Sequence, residues 1–219
     1  MERVKGKITA IPIGLDNVHI AVLTADPKDG TAAYATPEYL SRALSVNLTP
    51  ILKEGVLDSD DNVEIDESMI AGYTVSFGTS QLDDYARAKI FGHRIDSTGG
   101  LVVSKNDKPP IIALLGRSKL SDRVNFEYFA LYKGSFKPNA AERETDKREG
   151  TTYKTETVEG TFYPRESDGN IKYTMRTDNE NCDSTKIQNW FTAVQEPAAE
   201  SAEDSSSQET SQETSQENG

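Results

Sequence analysis

The stretch Val124-Asn125-Phe126-Glu127-Tyr128-Phe129-Ala130-Leu131-Tyr132 decides the class of fold. Val124, Phe126, Tyr128, Ala130 and Tyr132 recur at every second position, the period of a strand whose side chains alternate between two faces. Phe129 and Leu131 make the opposite face partly apolar as well. That predicts a strand at the centre of a sandwich or at a contact between subunits.

Working outward, the same period returns. Val18, Ile20 and Val22 alternate with His19, Ala21 and Leu23; Leu44, Val46 and Leu48 with Ser45, Asn47 and Thr49; Tyr73, Val75 and Phe77 with Thr74 and Ser76. Val158, Gly160 and Phe162 follow, then Ile171, Tyr173 and Met175. The continuous run Ile111-Ile112-Ala113-Leu114-Leu115 after Pro109-Pro110 reads as a strand buried on both faces, with a buried helix segment as the alternative. Residues 1–195 are therefore expected to be one mainly β domain, a β-sandwich or barrel.

Two segments carry helical spacing. Ser80-Gln81-Leu82-Asp83 has the form of a capping box, Leu82, Tyr85, Ala86 and Ile90 fall on one face, and Gly92 supplies a stop. Asp183 or Ser184 can cap a short C-terminal helix in which Ile187, Trp190, Phe191 and Val194 form a stripe. That stripe holds the one tryptophan of the chain, expected to be a core anchor.

Three polar connections interrupt the pattern. Residues 24–37 contain Asp26-Pro27, Asp29-Gly30 and Pro37, turn chemistry for a hairpin or loop. Residues 53–67 hold Glu54, Asp58, Asp60, Asp61, Glu64, Asp66 and Glu67 against Lys53 alone, and residues 137–150 mix both signs. Loops of that length in a compact domain are commonly functional, so both are expected to be interaction elements that order on assembly.

From Glu196 onward the character changes. Residues 196–219 contain seven acids, no base, no aromatic, and near-repeats beginning Ser207-Gln208, Ser211-Gln212 and Ser215-Gln216. Such a segment cannot bury enough apolar area to offset its chain entropy and is expected to be disordered. The chain of 219 residues carries a formal net charge of −12, of which −7 lies in this tail. The mildly acidic remainder argues against tight nonspecific DNA binding, which needs clustered Lys and Arg.

No stretch approaches the length of an apolar membrane span, and Met1-Glu2-Arg3-Val4-Lys5 opens no apolar run of the secretory type. A single cysteine, Cys182, excludes an intrachain disulfide, a cysteine-built zinc site and an iron–sulfur cluster, and fits a reducing cytosol. Glycine spacing matches no phosphate-cradling loop; Gly99-Gly100 reads as a hairpin turn. His19 and His93 read as structural or solvent-facing, and no G-x-S-x-G surrounds a serine. Counting from Asp58, an EF-hand calcium loop would need Gly where Val63 stands and Glu where Met69 stands, so the acidic run reads as solvated. No catalytic, cofactor-binding or metal-ligating residue is marked out, and no cofactor is expected.

The order of the segments is itself informative. Gly14-Leu15-Asp16-Asn17-Val18-His19-Ile20-Ala21-Val22-Leu23-Thr24 comes first, then Tyr34-Ala35-Thr36-Pro37, the acidic 53–67 stretch, a strand, a helix and Ile90-Phe91-Gly92-His93. Ile112-Ala113-Leu114-Leu115-Gly116-Arg117, Tyr132-Lys133-Gly134-Ser135-Phe136 and Glu159-Gly160-Thr161-Phe162-Tyr163-Pro164-Arg165 follow, and Trp190-Phe191-Thr192-Ala193-Val194 closes. Over about residues 8–195 this resembles the major tail protein (tail tube protein) family of long, non-contractile-tailed bacteriophages, the siphophages. The acidic repeat tail lies outside that pattern.

The resemblance implies a β-sandwich with a flanking α-helix whose copies form rings, generally hexamers, that stack into a β-lined tube. It implies self-contacts, a tape measure protein inside the tube, tail terminator and distal tail proteins at its ends, and DNA in the lumen only transiently. It implies a virion component assembled in the bacterial host cytoplasm, without membrane insertion and without catalysis. A carbohydrate-binding or adhesive β-sandwich module of a phage tail or cell surface is the alternative reading.

Overall fold

The computed structural model describes residues 10–59, 62–138 and 155–198, with 54–59 and 62–67 described at the level of the backbone. The 199–219 part of the acidic tail and the 139–150 part of the mixed-charge connection lie outside the described residues.

The described chain is mainly β, and its strands pair antiparallel throughout. In chain order the strands are β1 (Pro12–Ala25), β2 (Ala33–Tyr34), β3 (Glu38–Ser41), β4 (Ala43–Ser59) and β5 (Asn62–Thr79). Helix α1 (Asp84–Phe91) follows, then β6 (Arg94–Ile95), β7 (Leu101–Val102), β8 (Ile112–Leu120), β9 (Phe126–Lys137), β10 (Glu156–Tyr163), β11 (Lys172–Arg176) and helix α2 (Ser184–Gln188). The large sheet runs β2-β1-β8-β9-β10-β5-β4, with β11 on β9 and β3 on β1. Arg42 alone separates β3 from β4, so the sheet curls back on itself: β4 ends one side of the order, and the strand continuous with it pairs with β1 at the other.

Two cores follow from that curl. The first lies inside it, where Val18, Ile20, Val75, Phe77, Ile112, Leu114, Leu131, Phe136, Val158 and Phe162 meet Leu82, Ala86, Ile90 and Phe91 from α1 and its approach. The second lies on the other side of β8 and β9, where Ala21, Ala113, Leu115, Tyr128, Ala130 and Tyr132 are covered by Trp190. Ile112 through Leu115 are fully buried, so the expected strand with two apolar faces is real; Ile111, before it, is half-exposed.

Strand β9 changes which core it serves partway along. Leu131 faces the first core and Tyr132 the second, yet Phe136 is back in the first. Simple alternation would put Phe136 with Tyr132. The register explains it: Ile112 pairs with Gly134 and Leu114 with Leu131, so β9 carries one extra residue, a bulge. Past the bulge, Phe136 lies over Gly160 and Phe162 over Gly134, reciprocal cross-strand pairs whose rings meet edge to face at 5.9 Å. A Cβ on either glycine would overlap the facing ring, so these two positions exclude any side chain.

Several sequence expectations shift by a few residues. Val124 is not in the strand: Asp122 accepts hydrogen bonds from the Val124 and Asn125 N–H groups and Arg123 takes φ 61°, a tight turn that leaves Val124 exposed. The N-cap of α1 is Asp83, accepting from Ala86 N–H at 2.7 Å, rather than Ser80, whose N–H bonds to the Arg42 carbonyl as the chain leaves β5. The later start turns Tyr85 to solvent. Gly92 does end the helix, at φ 73° and hard against the Lys108 carbonyl. Asp183 caps α2, but α2 stops at Gln188, and Trp190, Phe191 and Val194 reach the second core from the turns beyond it.

The largest departure is at 53–67. In place of a loop, β4 and β5 stay paired from Ala43 with Thr79 out to Ser59 with Asn62, a two-stranded arm.

Trp190 is fully buried between Tyr128 and Tyr173, with ring centroids 5.4 and 5.6 Å away. Trp190→Ala should cost about 3–5 kcal/mol of folding free energy, seen as a lower urea midpoint at unchanged slope. An unchanged midpoint would show that the second core does not depend on it.

Candidate assembly surface

Two regions stand out: the arm, and the junction where the C-terminal segment is tied down. Strand β10 accompanies β5 only from Thr79 to Tyr73. Beyond Tyr73, β4 and β5 have only each other, and β4 has no partner on its other edge among the described residues. A bulge at the exit, where Ile51 pairs with Gly72 and Leu52 with Ile70, marks the departure from the body. The neck is apolar and wet: Leu52, Met69 and Ile70 are 51%, 63% and 49% exposed, with Tyr163 at 52% on β10 close to Gly72. A free two-stranded ribbon is marginal in water. Exposed large side chains at its base mark a surface built to be covered.

The junction is built around Arg165, in the turn between β10 and β11. Its side chain is 1% exposed. The guanidinium donates to both carboxylate oxygens of Glu196 at 2.7 Å, to both oxygens of Asp168, and to Tyr34 Oη at 3.4 Å, and lies 3.9 Å from the centre of the Tyr132 ring. Tyr132 donates its hydroxyl to the Gln195 carbonyl at 2.8 Å, and Lys186 donates to the carbonyl of Glu196. Glu196, which opens the acidic tail in sequence, is thus held on the body.

Burial alone would lower the pKa of Arg165; the Glu196 and Asp168 carboxylates outweigh it and raise it. Burial pushes Tyr34 up to about 12 and raises Tyr132 as well. Beside them, Asp26 accepts from Glu166 N–H at 2.9 Å, Ser167 N–H at 3.1 Å and Lys133 Nζ at 2.8 Å. Burial raises its pKa, but these donors prevail and hold it at about 2. The network fastens the β1–β2 turn, the β10–β11 turn and the chain's C-terminal segment together.

The residues weighed for chemistry stand apart. His19 hydrogen-bonds the Asn17 carbonyl and packs on Phe191 and Tyr39. His93 pairs with Asp107 at 2.7 Å, whose carboxyl also accepts the Ser104 N–H. Cys182 is half-buried beside a cavity of about 270 Å³ lined by Tyr173, Thr174, Met175, Arg176, Asn179 and Asn181, and burial raises its thiol pKa. Asp58 lies on the arm, and Gly99 turns the β6–β7 hairpin at φ 87°. Nothing brings these groups together.

Sequence reasoning missed the arm and Arg165. The arm had a signal: Val63 and Ile65 alternate beyond the turn residues Asp60-Asp61-Asn62. For Arg165 the only local hint is Asp168 three residues on; Glu196 and Tyr34 come from far along the chain.

A family model described as phage tail tube protein matches residues 43–195. No curated protein sequence matches the chain.

Three outcomes are expected from the junction. Ending the chain after Ala198 should leave the melting temperature unchanged. Ending it after Gln195 strips a carboxylate from a buried guanidinium and should cost about 1–3 kcal/mol. Asp26 has a folded pKa below the unfolded value of about 4, so its contribution is complete above pH 4 and is lost as pH falls toward 2. Asp26→Asn should therefore flatten the fall in melting temperature over that window; an equally steep fall would remove Asp26 as its source.

Proposed function

The chain belongs to the phage tail tube protein family, and from that premise we propose that its copies close into rings, hexameric in the family it resembles, which stack to form the tube of the tail. As a structural component of a virion tail it makes contacts chiefly with itself. The tube would enclose a tape measure protein during assembly in the host cytoplasm, meet terminator and distal proteins at its ends, and later conduct DNA.

The observation that carries this reading is the arm. A ribbon that outruns its sheet, with an unpaired edge and apolar side chains exposed at its neck, is stable only when another surface covers it. The arm cannot pair with itself around a twofold axis and at the same time propagate; used head to tail, it generates rings and stacks. The body's modest negative charge is compatible with a lumen through which a polyanion passes without adhering. No helix among the described residues is long and apolar enough to cross a membrane.

The acidic tail beyond the Glu196 tether is placed on the outer wall of the tube. Several copies of a segment with this excess of acids in the lumen would crowd the tape measure and oppose DNA; outside, they keep neighbouring tubes apart.

Replacing residues 55–67 by Asn-Gly, a two-residue hairpin turn between paired Glu54 and Ser68, shortens the arm without touching the body. Purified wild-type protein should form tubes by negative-stain electron microscopy. The shortened variant should melt as the wild type does and remain as monomers or single rings. A wild-type protein that stays monomeric at every concentration and binds glycans would instead favour the adhesive module.

A further inference from the structure

The segment from Asp183 to Ala198 covers the outer face of the sheet without joining its ladder. Every backbone–backbone hydrogen bond it makes among the described residues is internal. Ile187 N–H donates to the Asp183 carbonyl, Asn189 to Thr185, Trp190 to Ile187, and Thr192 and Ala193 both to Asn189. Its side chains also close on the segment itself: Asp183 accepts from the Thr185 and Lys186 N–H groups, and Gln195 Nε2 donates to the carbonyls of Asn189 and Ala193.

Side chains alone fasten it to the body. Ile187, Trp190, Phe191 and Val194 pack on the second core, with the Phe191 ring 4.6 Å from that of His19. Tyr132 donates to the Gln195 carbonyl, and Arg165 grips both carboxylate oxygens of Glu196. The packing is not free of cost: the Trp190 indole N–H is buried with no hydrogen-bond partner among the described residues. Beneath it, β9 is laddered on both edges, by β8 and by β10 and β11. Lifting the segment therefore breaks no ladder hydrogen bond, and that is the condition for a part of a protein to open below the free energy of global unfolding.

We propose that 183–198 is a strap that opens and recloses as one unit on a body that stays folded, with the Glu196–Arg165 pair as its lock. Opening uncovers Ala21, Ala113, Leu115, Tyr128, Ala130 and Tyr132, an apolar sheet face that the closed subunit hides. The chain continues from Glu196 into the acidic tail, so a pull on the tail reaches the lock before it reaches any strand. The device is independent of the tube reading, because every contact in it lies within one chain.

The test is native-state hydrogen exchange on the full chain as soluble subunits, followed residue by residue at low urea concentrations. The amides of Asn189, Trp190, Thr192 and Ala193 should exchange about tenfold or more faster than those of Leu114, Leu115, Ala130 and Leu131, and with a shallower dependence on urea, since strap opening exposes less surface than unfolding. Glu196→Gln removes the charge from the lock and should speed the strap amides by a further factor of about ten. Val158→Ala weakens the first core, which the strap does not touch. It should speed the β8 and β9 amides and leave the strap amides as in wild type. If all these amides exchange at one rate in wild type, or if Val158→Ala speeds the strap as much as the strands, the segment opens only when the body unfolds. If Glu196→Gln leaves the strap amides unchanged, the lock is not there. Any of these results overturns the inference.

Discussion

Everything in this molecule hangs on the edges of one strand. Strand β9 pairs with β8 along one side and, along the other, with β11 over Glu127–Leu131 and with β10 over Lys133–Lys137. Strands β10 and β11 follow one another along that edge, and the bulge between Leu131 and Gly134 falls where the one gives way to the other. It lets Tyr128, Ala130 and Tyr132 look out to the second core and Phe136 look in to the first. The glycine–phenylalanine pairs accompany the turn-over, since the rings of Phe162 and Phe136 lie where a Cβ on Gly134 or Gly160 would stand.

From that strand the two cores acquire different characters. The inner one is closed by sequence-local elements, α1 arriving directly from β5. The outer one is closed by the last described segment of the chain, so Trp190 and Glu196 complete a surface whose other members lie near residues 21, 34, 113–115, 128–132 and 165. A guanidinium buried to 1% exposure is costly to desolvate and is tolerated because two carboxylates, a tyrosine hydroxyl and an aromatic face surround it.

What the sequence disclosed follows the range of each force. Period-two burial is local, and the strands around Val18–Val22, Tyr73–Phe77, Ile112–Leu115 and Val158–Phe162 could be read directly. Caps are local too, and Gly92 and Asp183 were legible; Asp83 was hidden behind Ser80, a competing cap three residues earlier. Phe136 changing sides was not legible, since a bulge is a property of a pair of strands. The arm was obscured by its charge: acids are poor strand formers in isolation, and the Val63–Ile65 alternation is too short to outweigh seven of them. Arg165 was invisible because its partners are brought to it only by the completed fold.

The bulge at the arm's neck has a mechanical meaning. A two-stranded ribbon is inextensible along its strands, where covalent bonds carry the load, and resists shear in its own plane through its hydrogen-bond ladder. Across that plane it is soft, and softest where no side chain braces it. The register break between Ile51–Leu52 and Ile70–Gly72, flanked by exposed Leu52, Met69 and Ile70, is such an unbraced place. The arm is thus a leaf spring clamped at β10: it holds its length under tension while letting whatever it grips swing, so a stack of such subunits would bend without stretching.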